Sequence, residues 1–184
     1  MYTFPVKVSE KEYYDFNVFV MCKSAYGKKD MKKSRIYISI LFVGLALLSC
    51  ILEDFSTECY YQAALYLIML GVTQIILKPM SLAILKAQIK SMKKGGKMPY
   101  SAEAVLEFTE TGFSETTADH KSEQAYTAVE RVSVIEDVAI YVHINKMMAF
   151  ILPKACVETQ ELWEELESFL RTKISIVDVY PKKK

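Results

Sequence analysis

Histidine is nearly missing from this chain. Only His120 and His143 occur, far apart and without a cysteine or carboxylate at ligand spacing, which speaks against a metal centre. The four cysteines, Cys22, Cys50, Cys59 and Cys156, make no CxxC pair and no regular pattern, so neither a zinc site nor a disulfide framework is expected. Thiols packing as small hydrophobes are the expectation. Cys59 is the exception, placed where an intermolecular disulfide is chemically open. Glycine is sparse, and no GxSxG elbow, glycine-rich phosphate loop or Cys/His pairing is found. The chain therefore reads as a non-enzyme that needs no cofactor.

Missing charge is more telling. Residues 36–52 (IYISILFVGLALLSCIL) and 61–77 (YQAALYLIMLGVTQIIL) are seventeen residues each without one Asp, Glu, Lys or Arg. As helices each covers roughly 25 Å, the lower end of what crosses a bilayer core. One such run also suits a buried core helix. Two of them, joined by a short polar loop and bracketed by lysines, do not suit a soluble fold. The first begins too far along the chain for a signal peptide. The uncharged polar residues within them are Ser39, Ser49, Gln62, Thr73 and Gln74. None ionises, so no proton relay is visible, and Gln74 and Thr73 are expected to hydrogen-bond a partner helix or a second copy.

The formal net charge of +1 hides an uneven distribution. Residues 1–35 carry eight Lys/Arg against four Asp/Glu, 53–60 carry three acids and no base, and 78–98 carry six lysines and no acid. Residues 99–184 carry nine bases against fifteen acids. Cations flanking both runs, with Glu53, Asp54 and Glu58 between them, predict a multi-pass cell-membrane protein with both termini cytoplasmic. Tyr37, Tyr60 and Tyr61 stand where interfacial aromatics belong. The residues expected to touch the anionic inner leaflet are Lys28, Lys29, Lys32, Lys33 and Arg35 before the first run. After the second come Lys86, Lys90, Lys93 and Lys94. The acidic C-terminal part would repel phosphates, which disfavours nucleic acid as a partner.

Periodicity divides the rest. Residues 2–8 alternate as a strand, Ser9-Glu10-Lys11-Glu12 fits a capping box, and Tyr13, Phe16 and Val20 recur at helical spacing. This predicts a short amphipathic helix against the bilayer surface or the cytoplasmic domain. After Pro79, apolar residues interleaved with lysine predict an amphipathic stem, ending at Lys93-Lys94-Gly95-Gly96-Lys97-Met98-Pro99. From residue 100 the texture is β. Strands are expected at 104–109, 113–117, 125–135, 138–144 and 147–152, with a hairpin turn at Glu110-Thr111-Gly112. In the fourth of these, Ile140, Val142 and Ile144 share one face, leaving Tyr141 and His143 on the other. Leu162, Trp163, Leu166, Phe169 and Leu170 mark a helix, and 174–180 could add a tail strand. The expected organisation is a basic N-terminal segment (1–35), a transmembrane helical hairpin (36–77), a basic stem (78–99) and a C-terminal domain (100–184). The fold class is α+β: a two-helix hairpin plus a small antiparallel sheet capped by a helix.

These pieces, in this order, resemble the YcxB-like family of small bacterial membrane proteins over nearly the whole length. The resemblance rests on Ser9 to Asn17 (SEKEYYDFN), Ser24-Ala25-Tyr26-Gly27-Lys28-Lys29 and the two apolar runs. It ends with Tyr126-Thr127-Ala128-Val129-Glu130-Arg131-Val132, the strand containing Tyr141, and Ile151-Leu152-Pro153-Lys154-Ala155 before the last helix. It implies a pleckstrin-homology-like (PH-like) C-terminal domain, in a family with no established enzymatic activity. Two departures follow. Five strands are read where a complete barrel of that type has seven, so the sheet is open or takes a strand from the N-terminal segment. The first hairpin turn is acidic, which argues against inositol-lipid head groups there. The leading expectation is a membrane-anchored interaction or regulatory module with an unidentified protein partner, a homo-oligomer among the candidates. The alternative is a component of a transport or channel assembly.

Overall fold

The computed structural model describes residues 1–96, 98, 100–146 and 148–181. Lys97 and Pro99 of the linker, Met147 at the head of one expected strand, and tail residues 182–184 lie outside the described residues. The chain forms two compact units, one from Met1–Phe16 with Lys93–Lys184 and the other from Asn17–Met92.

Among the described residues the first unit has eight strands. β1 (Tyr2–Lys7), β2 (Glu103–Phe108), β3 (Gly112–Thr116) and β4 (Lys121–Ala125) make one antiparallel sheet in that order. β5 (Arg131–Ile135), β6 (Ala139–His143), β7 (Ala149–Pro153) and β8 (Val177–Tyr180) make a second, in the order β7-β6-β5-β8. All pairings are antiparallel except β5 with β8, which is parallel. β1 lies in register against β2, Phe4 opposite Leu106 and Val6 opposite Ala104. The N-terminal segment thus supplies a strand that the C-terminal segment lacks.

Alternation decides which side chains meet. Phe4, Val6, Leu106, Phe108 and Phe113 from one sheet join Val132, Val134, Ile140, Val142 and Leu152 from the other in a single buried core. One helix of this unit, here named α4 (Gln160–Lys173), adds Trp163, Leu166 and Leu170, its residues at i, i+3 and i+7. Thr159 caps α4, its side chain accepting from the Leu162 amide at 3.1 Å.

Two sequence expectations change here. The run 125–135 is not one strand, because a 3-10 turn at Tyr126–Ala128 separates β4 from β5. β4 itself, KSEQA, went unread because it is an edge strand with alternate residues exposed and no apolar face. Tyr141 and His143 lie on the face of β6 opposite Ile140 and Val142, and that face is covered as well. β6 is buried on both sides, and Phe16 packs edge-on against Tyr141 at 5.1 Å and tilted against His143 at 6.0 Å.

Phe16 belongs to helix α1 (Glu10–Val18). Its capping box forms as expected: Glu12 accepts from the Ser9 amide at 2.5 Å, and Ser9 Oγ accepts from the Glu12 amide at 3.3 Å. A π-helical turn, Phe19–Lys23, follows. Ser24 then caps the next helix, accepting from the Gly27 amide at 3.0 Å and donating to the Val20 carbonyl at 2.6 Å. Gly27 is required there, since a Cβ would collide with the Val20 and Met21 carbonyls.

The second unit is dominated by helices α2 (Ala25–Leu52) and α3 (Thr57–Lys94), both long and apolar enough to cross a membrane. α3 runs through Pro79 without a break, so the expected stem is the same helix continued. In their most apolar windows only 11% of α2 and none of α3 is buried. Ile40, Leu41, Leu47, Leu48, Leu67 and Ile68 point outward.

Candidate functional site

The nine cations expected at a lipid surface all lie on the two long helices, and all are exposed. Lys28, Lys32 and Arg35 are spaced i, i+4, i+7 and share one face of α2. Lys29 and Lys33 fall on its flank, roughly 90 to 130° round. Lys86, Lys90, Lys93 and Lys94 occupy the C-terminal part of α3. One of them is already engaged: Lys93 Nζ donates to Glu10 Oε2 at 2.6 Å. The belt is therefore uneven, with Lys93 tied to the start of α1.

Gln74 holds the two helices at the level of the first cluster. Its Nε2 donates to the Arg35 carbonyl at 3.1 Å and to Ser39 Oγ at 3.2 Å. Thr73, also expected to bridge helices, donates instead to the Met69 carbonyl of its own helix at 2.7 Å. One turn beyond Gln74 on the same face stands Lys78, which lines a cavity of about 230 Å³ with Cys22, Lys28, Met31, Lys32 and Arg35. Sequence reasoning used Lys78 as a topological marker and did not join it to the α2 cluster. The i, i+4 spacing of Gln74 and Lys78 was the available signal.

At the other end of the hairpin stand Glu53 and Asp54 in the turn and Glu58 in the first turn of α3. Asp54 and Phe55 take positive φ there, 46° and 56°. Gln62 Nε2 donates to Glu53 Oε1 at 2.6 Å. Cys59 is fully buried, and the Cys50 thiol points at its carbonyl, 3.9 Å away. The thiol expected to be open to a second chain is therefore enclosed by its own hairpin.

The sheet unit presents acid rather than base. Glu110 in the first hairpin turn is ion-paired with Lys173 of α4 at 2.5 Å, which holds its carboxyl below the usual range. That turn is closed by the Thr109 amide donating to the Gly112 carbonyl at 2.9 Å. Gly112 is needed because a Cβ would strike the Gln124 carbonyl. Burial pushes the Tyr126 hydroxyl up to about 12, and it donates to the Thr109 carbonyl at 2.8 Å. His143 sits beneath α1 with Nε2 3.1 Å from Ser133 Oγ. Burial, with Arg131 nearby, pulls its pKa down to about 4, so the ring is neutral at pH 7. Among the described residues no three His, Cys, Asp or Glu side chains gather as a metal site would require.

Against known proteins, the model of a family described as YcxB-like protein matches residues 108–170. That stretch runs from the end of β2 to the last buried leucine of α4. No curated protein and no solved structure matches the chain.

Proposed function

From a chain that carries the YcxB-like family segment at residues 108–170, we propose a membrane-anchored, non-enzymatic interaction module. In this reading α2 and α3 cross the cell membrane as a hairpin. Both chain ends stay in the cytoplasm and the acidic sheet unit meets a protein partner there. One observation carries it: the hairpin exposes an apolar girdle bounded by cations at one end and carboxylates at the other. Exposing that much apolar surface to water is costly at about 25 cal/mol per Å², and cations favour the cytoplasmic side.

The sheet unit suits a PH-like domain. Two four-stranded sheets share one core with a C-terminal helix, and β1 brings the first sheet to four strands. Its surface is acidic and its first turn is occupied by the Glu110–Lys173 pair, which favours a basic protein face over a lipid head group as its target.

Topology is tested by protease digestion of right-side-out and inverted vesicles holding the chain tagged at either end. Both tags should be cut only in inverted vesicles. Tags cut on opposite faces, or a chain recovered in the supernatant without detergent, would remove the reading. Crosslinking in native membranes with mass spectrometry then identifies the partner of the sheet unit.

A further inference from the structure

Part of the belt of cations lines one open cavity. Lys28, Lys32, Arg35 and Lys78 surround one cavity, at about 230 Å³ smaller than the usual range for drug-sized ligands and suited to a compact head group. Among the described residues no carboxylate lines it; Asp30, the nearest acid in sequence, falls on the opposite face of α2 at 200° from Lys28 by helical geometry (roughly 100° per residue). Among the described residues none of the four cations makes an ion pair. Four like charges converging on one space repel one another unless an anion sits among them.

The framework around them is fixed. Ser24 caps α2 one turn before Lys28, and Gly27 lets the π-helical turn that carries Cys22 pack close. Gln74 pins α3 to the Arg35 carbonyl. The apolar surface begins at once beyond Arg35, with Ile36 48% and Tyr37 68% exposed.

We propose that Lys28, Lys32, Arg35 and Lys78 form a phosphate-binding site that takes the head group of an anionic phospholipid, whose acyl chains run along the exposed hairpin. This assignment rests on the membrane reading above. It goes beyond it by naming four residues around one cavity as a selective site, where a basic belt alone attracts any negative surface. Arginine supplies a planar fork to phosphate oxygens and the lysines supply point charges. Cations pocketed between helices at the cytoplasmic border suit such head groups.

The test uses the full chain, purified in detergent and offered phosphatidylglycerol or phosphatidylcholine, with retained lipid counted by native mass spectrometry. The intact chain should prefer phosphatidylglycerol, and K32Q/K78Q should lose about tenfold of that preference. K29Q/K33Q removes the same charge from the flank of α2. It should weaken association with anionic vesicles as much as K32Q/K78Q does, yet keep the head-group preference. Circular dichroism confirms that both variants retain their helices. Millimolar inorganic phosphate distinguishes the sources. If it displaces the lipid only weakly, the ligand is lipid-borne; if it binds equally well, the site stands and its ligand is a soluble phosphate. Equal loss of preference in both variants, or none in K32Q/K78Q, overturns the site while leaving the membrane reading intact. A chain found in the supernatant overturns both.

Discussion

The two units of this chain handle apolar side chains in opposite ways. In the sheet unit Phe108, Leu106, Leu166 and Leu170 are almost entirely buried and the charged residues face out. In the helical unit Leu47, Ile68 and Ile75 stand more than half exposed over helices that bury almost nothing. The same residue types are thus used once as an interior and once as an exterior. The lesson is that burial within the chain is satisfied only in the first unit. The second leaves its apolar side chains exposed.

The largest break in this comparison is a pair of truncations. Phe108→Ala should cost about 3 to 5 kcal/mol, because a fully enclosed ring leaves a cavity. Leu47→Ala should change stability by about 0.5 kcal/mol or less. Urea titration followed through Trp163, the single tryptophan, reads the first directly, since its ring lies in the same core. Similar losses from both would mean that the hairpin is packed like a soluble core.

Next in size is the proton. The pKa of His143 falls from 6.5 unfolded to about 4 folded, so the unfolded chain binds the proton more tightly. Its contribution is present in full above about pH 6.5 and fades as pH drops toward 4, by about 3 kcal/mol in all. Glu130 and Asp178 temper this and Arg131 strengthens it. Glu115, whose carboxyl is raised by burial, acts with the opposite sign near its own titration. Stability of the sheet unit measured at pH 7 and pH 4.5 should therefore drop, and His143→Gln should flatten the change. The hairpin has no such group in its runs and should not respond.

Smaller effects sharpen the same contrast. Gln74→Leu removes two hydrogen bonds between α2 and α3 and should lower the thermal midpoint in micelles by the equivalent of about 1 kcal/mol. Ser9→Ala strips the cap from α1 and should cost the sheet unit about 1 kcal/mol. Glu10→Gln breaks only an exposed pair with Lys93, so a loss above about 1 kcal/mol in denaturant titration would be unexpected.

Several features were legible because they are local. The two uncharged runs, the cation and carboxylate borders, the capping box at Ser9 and the apolar stripe of α4 depend only on neighbours a few residues apart. The α2 side of the candidate site was legible too, through the spacing of Lys28, Lys32 and Arg35. Lys78 was not joined to it, because nothing in a linear pattern states which face of α3 turns toward α2. That choice is made by Gln74 reaching Arg35.

Sequence alone determined the fold class, the hairpin and its charge polarity, since hydropathy and helical period are properties of consecutive residues. Tertiary structure alone decided that β1 pairs with β2 across nearly a hundred residues, that β8 runs parallel beside β5, and that polar β4 forms an edge. It also decided that Phe16 covers Tyr141 and His143. Each depends on partners distant in sequence, and the free energy that selects them comes from burying both at once.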